Sequence, residues 1–305
     1  MTVLTAGIDI GGTQLRAGLF DGEYRLVESY KIANDRQKTA AANMDALLDF
    51  LAGYRDRLTA VGIGCPGPMD LKAGRLLTLP NLVGWDNFEL VRYVRQRLDV
   101  PTALNDDGNV AGLAEAVLGA GKGYDTVAFV GVSTGIGGAF IQNGRIFNGA
   151  HANAAALWNM IVNEDPRHHR NASPGSLNEQ CSGSGLESAA TALYGEPTKA
   201  RVLFERAAAG DEAARAAIER AADTLARGIA NITCTFDPDV IVIGGSVAIH
   251  NPGYIRRAAE IAGGYICYPA DQLIVKPAQF GDDAGILGAA LLVRGEGIGN
   301  RNVSP

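Results

Sequence analysis

The sequence predicts two α/β domains with a cleft between them, and three observations carry that expectation. Strand and helix patterns alternate through the first part of the chain, a strand and glycine-turn pattern restarts at Asp125, and GAGKGY (119–124) interrupts both. The expected division is 1–119 and 120–284.

Composition fits that reading. Of 305 residues, 47% are hydrophobic, enough for buried cores of ordinary size. The formal net charge is −6 with both signs interspersed, so there is no basic stripe for a nucleic-acid backbone. MTVLTAGIDIGGT carries no basic leader ahead of a long apolar segment, and no uncharged apolar run approaches the ~18 residues a membrane span needs. A cytoplasmic protein without a membrane partner is expected. Cys65, Cys181, Cys234 and Cys267 are widely spaced with no C-x-x-C pair, which reads as reduced thiols.

Taken in order, VLTAGIDI (3–10), QLRAGLFD (14–21) and YRLVESYKI (24–32) are β-rich runs joined by GGT and GE, an antiparallel meander. Residues 42–58 place Met44, Leu47, Leu48 and Leu51 at helical spacing, and LTAVGIG (58–64) follows as a buried strand. A helix over 89–98, a strand over 100–105 and a helix over 108–120 continue the alternation. Residues 125–147 then read as strand, glycine-rich turn and strand, 204–236 as one long Ala-rich helical stretch, and 238–248 as a buried strand ending in paired glycines.

Three turns suggest a ligand. Asp9 ends the first strand, and Gly11, Gly12 and Thr13 form a turn in which glycine admits close backbone approach and Thr13 adds a hydroxyl. The Lys of a Walker loop is absent. GVSTGIGGAF (131–140) repeats the device with Ser133, Thr134, Gly135, Gly137 and Gly138. Two such turns could hold a polyphosphate from both sides of a cleft. Gly244 and Gly245 end a strand where an open α/β sheet leaves room for a ligand.

Together with LNDDGNVAGLAE (104–115), these stretches resemble the ROK family of sugar kinases and repressors, from Gly7 to about Leu292. The resemblance implies two ribonuclease-H-like domains of the actin and hexokinase type, with the C-terminal helix, about 285–305, packing back on the first. It implies GIDIGGT and STGIGG as phosphate turns, VIVIGG as the turn that reaches adenosine, and CPGPMD and PNLVGWDNFEL as sugar-side loops contributing Gly67 and Asn81. LNDDGNVAGLAE is similar to the family's N-D-x-N-x-A-A-L-x-E element, whose Asp takes the proton of the sugar hydroxyl. Counting back from Glu115 and Asn109 places the base at Asp107 and puts Asp106 where the family has Asn, holding a sugar hydroxyl; a one-residue shift of the loop would swap the two. An acid there suits the chemistry, since a hydroxyl attacking a γ-phosphate needs orientation and a place for its proton. Helix capping is the structural alternative for Asp107.

The chain also departs from that family. GAHANAAALWNMIV (149–162) has Ala156 and Asn159 where the family has a sugar-binding Glu and a His shared by sugar and zinc. SLNEQCSGSGLES (176–188) offers only Cys181 toward the zinc knuckle, and one thiol cannot build a tetrahedral site, so no structural zinc is expected. His168 and His169 read as a polar surface loop. Glu179 or Glu187 are candidates for the lost carboxylate, and Asn153 and Asn159 for neutral hydrogen bonds.

The leading expectation is an ATP-dependent kinase for a hexose or amino hexose, acting on a primary hydroxyl, with Mg²⁺ bridging the phosphates through water held by Asp9. A polyphosphate or ADP donor stays open, and the family implies a homodimer. The family's repressors carry a helix-turn-helix ahead of the first phosphate turn, for which a first strand at residue 3 leaves no room. The remaining alternative is a degenerate member that binds sugar or nucleotide without turnover.

Overall fold

The computed structural model describes residues 2–79, 82–166 and 172–293. The chain forms two compact units: Met1–Gly123 with Ala139–Ala154 and Asp282–Pro305, and Tyr124–Gly138 with Ala155–Gly281.

The first unit opens with β1 (Leu4–Ile10), β2 (Gln14–Phe20) and β3 (Leu26–Ala33), paired antiparallel as their alternation predicts. α1 (Ala40–Ala52) follows, its Thr39 hydroxyl accepting from the Ala42 N–H, and ends before the expected 58 because the chain turns at Gly53. β4 (Leu58–Cys65), the small hairpin of β5 (Met69–Asp70) and β6 (Arg75–Leu76), α2 (Leu90–Leu98), β7 (Thr102–Asp106) and α3 (Asp107–Val117) complete the run. The sheet order is β3-β2-β1-β4-β7, with β4 parallel to β1 and β7.

β1 is central and buried: Leu4, Ala6, Ile8 and Ile10, at alternate positions on one face, have no exposed surface. Against this sheet α1 contributes Met44, Leu47, Leu48 and Leu51, and α2 contributes Val94 and Leu98. Truncating one of these, Leu47→Ala for example, would cost roughly 2–5 kcal/mol.

Also in this unit, α10 (Ala284–Leu292), eight of whose nine residues are buried, packs on β1, β4 and α3. Backbone meets backbone at this seat. A Cβ at Gly62 would stand 1.7 Å from the Ala289 carbonyl oxygen, and one at Gly288 would stand 1.7 Å from that of Val110. The remainder of the helix expected over 285–305 lies outside the described residues.

The second sheet contains β8 (Thr126–Val132), β9 (Ile136–Gln142), β10 (Arg145–Ile146), β11 (Val240–Gly244) and β12 (Val275–Pro277) in the order β10-β9-β8-β11-β12. Numbered within each half, both sheets read third, second, first, fourth, fifth, which is the internal repeat the sequence suggests. Its helices are α4 (Leu177–Cys181), α5 (Gly183–Tyr194), α6 (Ala200–Ala208), α7 (Glu212–Phe236), α8 (Ser246–His250) and α9 (Pro252–Ala262). The stretch 204–236, read as one helix, is two. Gly210 at φ +101° breaks it, and Asp211 caps α7 by accepting from the Ala213 and Ala214 N–H groups. Among the described residues, no helix is long and apolar enough to cross a membrane.

Candidate active site

Strand ends of the first unit gather the acidic residues. Asp9 lies near the end of β1, cross-strand from Arg16 on β2, while Asp106 ends β7 beside Cys65 at the end of β4. A Cβ at Gly67 would lie 3.5 Å from Asp106 Oδ2, so that glycine borders the same carboxyl. The Cys65 thiol registers the cluster: burial pushes it well above the usual thiol range, and the charges of Asp107, Asp106 and Asp9 each push it further.

The cap question resolves in favour of Asp106. Its backbone is extended, and its Oδ1 accepts from the Gly108 N–H at 3.0 Å, as an N-cap does. Asp107 is the first helical residue; its own Oδ1 accepts from the Gly108 N–H at 2.7 Å, and its side chain is exposed. An acidic group in that first turn is favoured by the helix dipole and remains open to an incoming ligand.

Displacement of water by surrounding protein raises all three acids, and the Asp107 charge raises Asp106 and Asp9 further. Asp106 is pushed up to about 7, first by burial and then by the Asp107 charge, against backbone N–H donors of Gly108, Gly67 and Asn109. Asp107 is raised because surrounding protein displaces water from it, opposed by the Gly108 N–H and by a hydrogen bond from Asp106. Asp9 rises to about 6 through burial, then Asp107, with Arg16 pulling the other way. Adjacent carboxyls that are both raised titrate as a pair, and together they hold a proton more tightly than isolated aspartates do.

Hydrogen bonds reach this corner from residues that sequence reading overlooked. Asn105 Oδ1 accepts from the Asp106 N–H and from Asn109 Nδ2, and Asn105 Nδ2 donates to Asn148 Oδ1 at 3.0 Å. Arg16 donates to the Asp282 carbonyl and to the Asp283 carboxylate. The turn Gly11–Thr13 is closed by the Gly11 N–H on the Gln14 carbonyl, and Asn34 Nδ2 donates to the Gly11 carbonyl at 2.8 Å. The period-2 register of β1 and β2 could have paired Arg16 with Asp9; nothing in the sequence marks Asn34 or Asn148.

In the second unit, Ser133, Thr134 and Gly135 form the turn between β8 and β9, and Gly137 lies within β9. Gly244 ends β11, and Gly245, at φ +88°, leads into α8. A Cβ at Gly245 would stand 2.5 Å from the Val132 carbonyl oxygen, and the Ser133 and Ser246 hydroxyls lie 2.9 Å apart, so the two glycine turns adjoin.

The candidate sugar ligands are more dispersed. Asn153 is exposed in a loop between Ala152 and Ala155, which take positive φ of 54° and 58°. Asn159 Oδ1 accepts from the Ser173 N–H at 2.6 Å, a local clasp. Glu179 is buried within α4, and Glu187 pairs with Lys199 at 3.2 Å. Asn81, His168 and His169 lie outside the described residues.

The residues of this segment do not fit a zinc knuckle. Cys181 is the one thiol between residues 149 and 188, and its buried Sγ donates to the Leu177 carbonyl, which leaves the segment short of a tetrahedral donor set. Hydrogen bonds close the segment instead: Ile161 bridges Ser176, the Val162 N–H donates to Gly175, and the Leu177 N–H donates to Met160.

The ROK family model matches residues 5–296. The chain belongs to the ROK family. It is 33% identical over 304 residues to the N-acetylmannosamine kinase of Escherichia coli O139:H28 (strain E24377A / ETEC), covering 96% of this chain and 99% of that one. Among solved structures, the ROK hexokinase from Thermus thermophilus superposes with a TM-score of 0.87 at 32% identity, covering 95% of this chain and 97% of that one. A ROK family glucokinase from Streptomyces griseus, solved with glucose and AMPPNP, gives a TM-score of 0.78 at 29% identity over 95% and 99% of the two chains. The fold is therefore the two-domain α/β fold of the actin and hexokinase type that the sequence predicts.

Proposed function

We propose that this ROK-family sugar kinase transfers the γ-phosphate of ATP to a primary hydroxyl of a hexose or amino hexose, with Asp107 as the general base. The observation that supports it is the division of roles at the β7–α3 corner: Asp106 takes the cap, and Asp107 presents an exposed carboxylate with raised proton affinity. A base must be ionised to accept the hydroxyl proton and basic enough to keep it, and an Asp raised above its ordinary range meets both needs.

Asp106 and the backbone at Gly67 orient the acceptor sugar. Gly11, Gly12 and Thr13, and in the second unit Ser133, Thr134, Gly135 and Gly137, offer backbone and hydroxyl donors to phosphate. Gly244 and Gly245 leave room for the nucleoside. The hard oxygen of Asp9, held between Arg16 and the backbone of Gly285, suits Mg²⁺ held through water. When bound, that ion neutralises the nucleotide phosphates and polarises the transferred group.

N-acetylmannosamine heads the acceptor panel, on the strength of the curated relatives. Coupled ADP release over N-acetylmannosamine, N-acetylglucosamine, glucosamine, glucose, mannose, fructose and allose, on wild type and Asp107→Asn, tests the reading. Sugar-dependent turnover abolished by the substitution supports it, whereas equal turnover in the variant sinks Asp107 as base. A second reading, binding without turnover, draws support from Asn159 and Glu187, which are engaged by Ser173 and Lys199. ATP binding with no turnover on any sugar would favour it.

A further inference from the structure

The turn over Ser133–Ile136 owes its shape to residues about 45 positions downstream. Asn178, on α4, is buried, and its Oδ1 accepts from the Ile136 N–H at 3.1 Å. The Gly183 N–H donates to the Ser133 carbonyl at 2.8 Å and the Ser184 N–H to the Thr134 carbonyl at 3.0 Å. The turn closes on itself through the Ser133 N–H on the Gly135 carbonyl.

Among these contacts, Asn178 supplies the side-chain one to the turn's backbone, and it is itself held. Its Nδ2 donates to Glu179 Oε1, and its carbonyl accepts from the Ser182 hydroxyl at 2.6 Å. It also fits the turn closely, since a Cβ at Gly135 would stand 2.9 Å from Asn178 Oδ1. The α4 helix that carries it is tied to the preceding strand-like segment by the Leu177 N–H on Met160 and the Ile161–Ser176 bridge. A side chain whose donor and backbone carbonyl are already engaged has one orientation for its oxygen, and that orientation consumes the Ile136 N–H.

We infer that Asn178 is a positioning residue for nucleotide binding: by fixing the Ile136 N–H inward, it sets the Thr134–Gly135 backbone that receives the ATP phosphates. This rests on the nucleotide role proposed above for Thr134 and Gly135. Asn178 acts through the turn, so its loss weakens the nucleotide and leaves the acceptor sugar alone.

Calorimetric titration with AMPPNP and Mg²⁺ tests it on wild type, Asn178→Ala, Gly135→Ala and the Gly135→Ala/Asn178→Ala double variant, with the sugar KM measured alongside. One buried hydrogen bond lost predicts about tenfold weaker AMPPNP binding by Asn178→Ala. The sugar KM stays within about twofold, since Asn178 touches the turn and not the acceptor site. Gly135→Ala, which drives a methyl group against the Asn178 oxygen, binds poorly, and the double variant recovers part of the loss. Gly135→Ala leaves Asn178 in place and keeps the inference testable if Asn178→Ala folds badly: AMPPNP binding by Gly135→Ala at wild-type strength would overturn it. Wild type that fails to bind AMPPNP would overturn the nucleotide assignment of the turn. Wild type that binds, with Asn178→Ala equally tight or with the sugar KM of Asn178→Ala raised as far as its AMPPNP Kd, would overturn the positioning role.

Discussion

The β7–α3 corner and the β8–β9 turn are built by different means for the roles proposed for them. At the first, side-chain charge is the instrument: Asp106 and Asp107 are adjacent, displaced water raises the proton affinity of both, the Asp107 charge raises that of Asp106 further, and short-range contacts such as the Gly108 N–H hold them. At the second, the instrument is backbone, and its shape is held by Asn178, Gly183 and Ser184 from a distant stretch of chain. The difference teaches which substitutions should reach which step under the proposed function: changes of charge at the corner are expected to act on proton transfer, and changes of volume around the turn on nucleotide affinity.

The largest expected effect is at the corner. Asp107→Asn removes the proposed proton acceptor with little change in shape, and turnover should fall by roughly 10²–10⁴-fold while AMPPNP affinity holds. Steady-state kinetics beside calorimetry checks this, and an equal loss of nucleotide affinity would break the separation of the two regions.

Next is Gly183→Ala. Its Cβ would stand 2.8 Å from the Ser133 carbonyl oxygen, the atom its own N–H now bonds. Nucleotide binding should weaken by about tenfold or more, with the acid limb of the pH–rate profile unmoved. A shifted limb would show that the turn governs the base after all.

The corner also carries a pH signature in stability. Asp106, raised to about 7, favours the folded state in its protonated form, so that contribution is complete below the ordinary carboxylate range and is lost as pH rises through about 7. Wild type should therefore lose stability between pH 5 and 8, and Asp106→Asn should flatten that slope and be the more stable protein at pH 8, by on the order of 1–3 kcal/mol. Denaturant titrations at the two pH values decide it; parallel slopes would mean that Asp106 ionises normally.

Smallest is Asn159→Ala. The clasp on the Ser173 N–H is one neutral hydrogen bond, and its loss should cost about 1 kcal/mol. Unfolding midpoints measure this. A loss of sugar affinity far beyond it would return Asn159 to direct substrate contact.

Local chemistry is why so much of the first corner was legible. Apolar alternation gave β1 and β2, helical spacing gave α1 and α3, and adjacent Asp106 and Asp107 announce themselves by type. The break between α6 and α7 was missed because an Ala-rich run outweighs one Gly-Asp pair when only periodicity is read, although Gly210 and Asp211 are a stop and a start in sequence. Glu179 could not be placed at all from the sequence. A carboxylate on a five-residue helix reads as exposed, and only packing buries it.

The sequence by itself determined the alternation of elements, the repeat, the three glycine turns and the candidate base, because periodicity, turn chemistry and acidity are properties of neighbouring residues. Tertiary structure decided which aspartate caps α3, how far each acid's proton affinity rises, and that Asn34 and Asn178 each hold one glycine turn. Those outcomes depend on water excluded and on atoms brought within about 3 Å by chain far removed in sequence, and no local pattern encodes either.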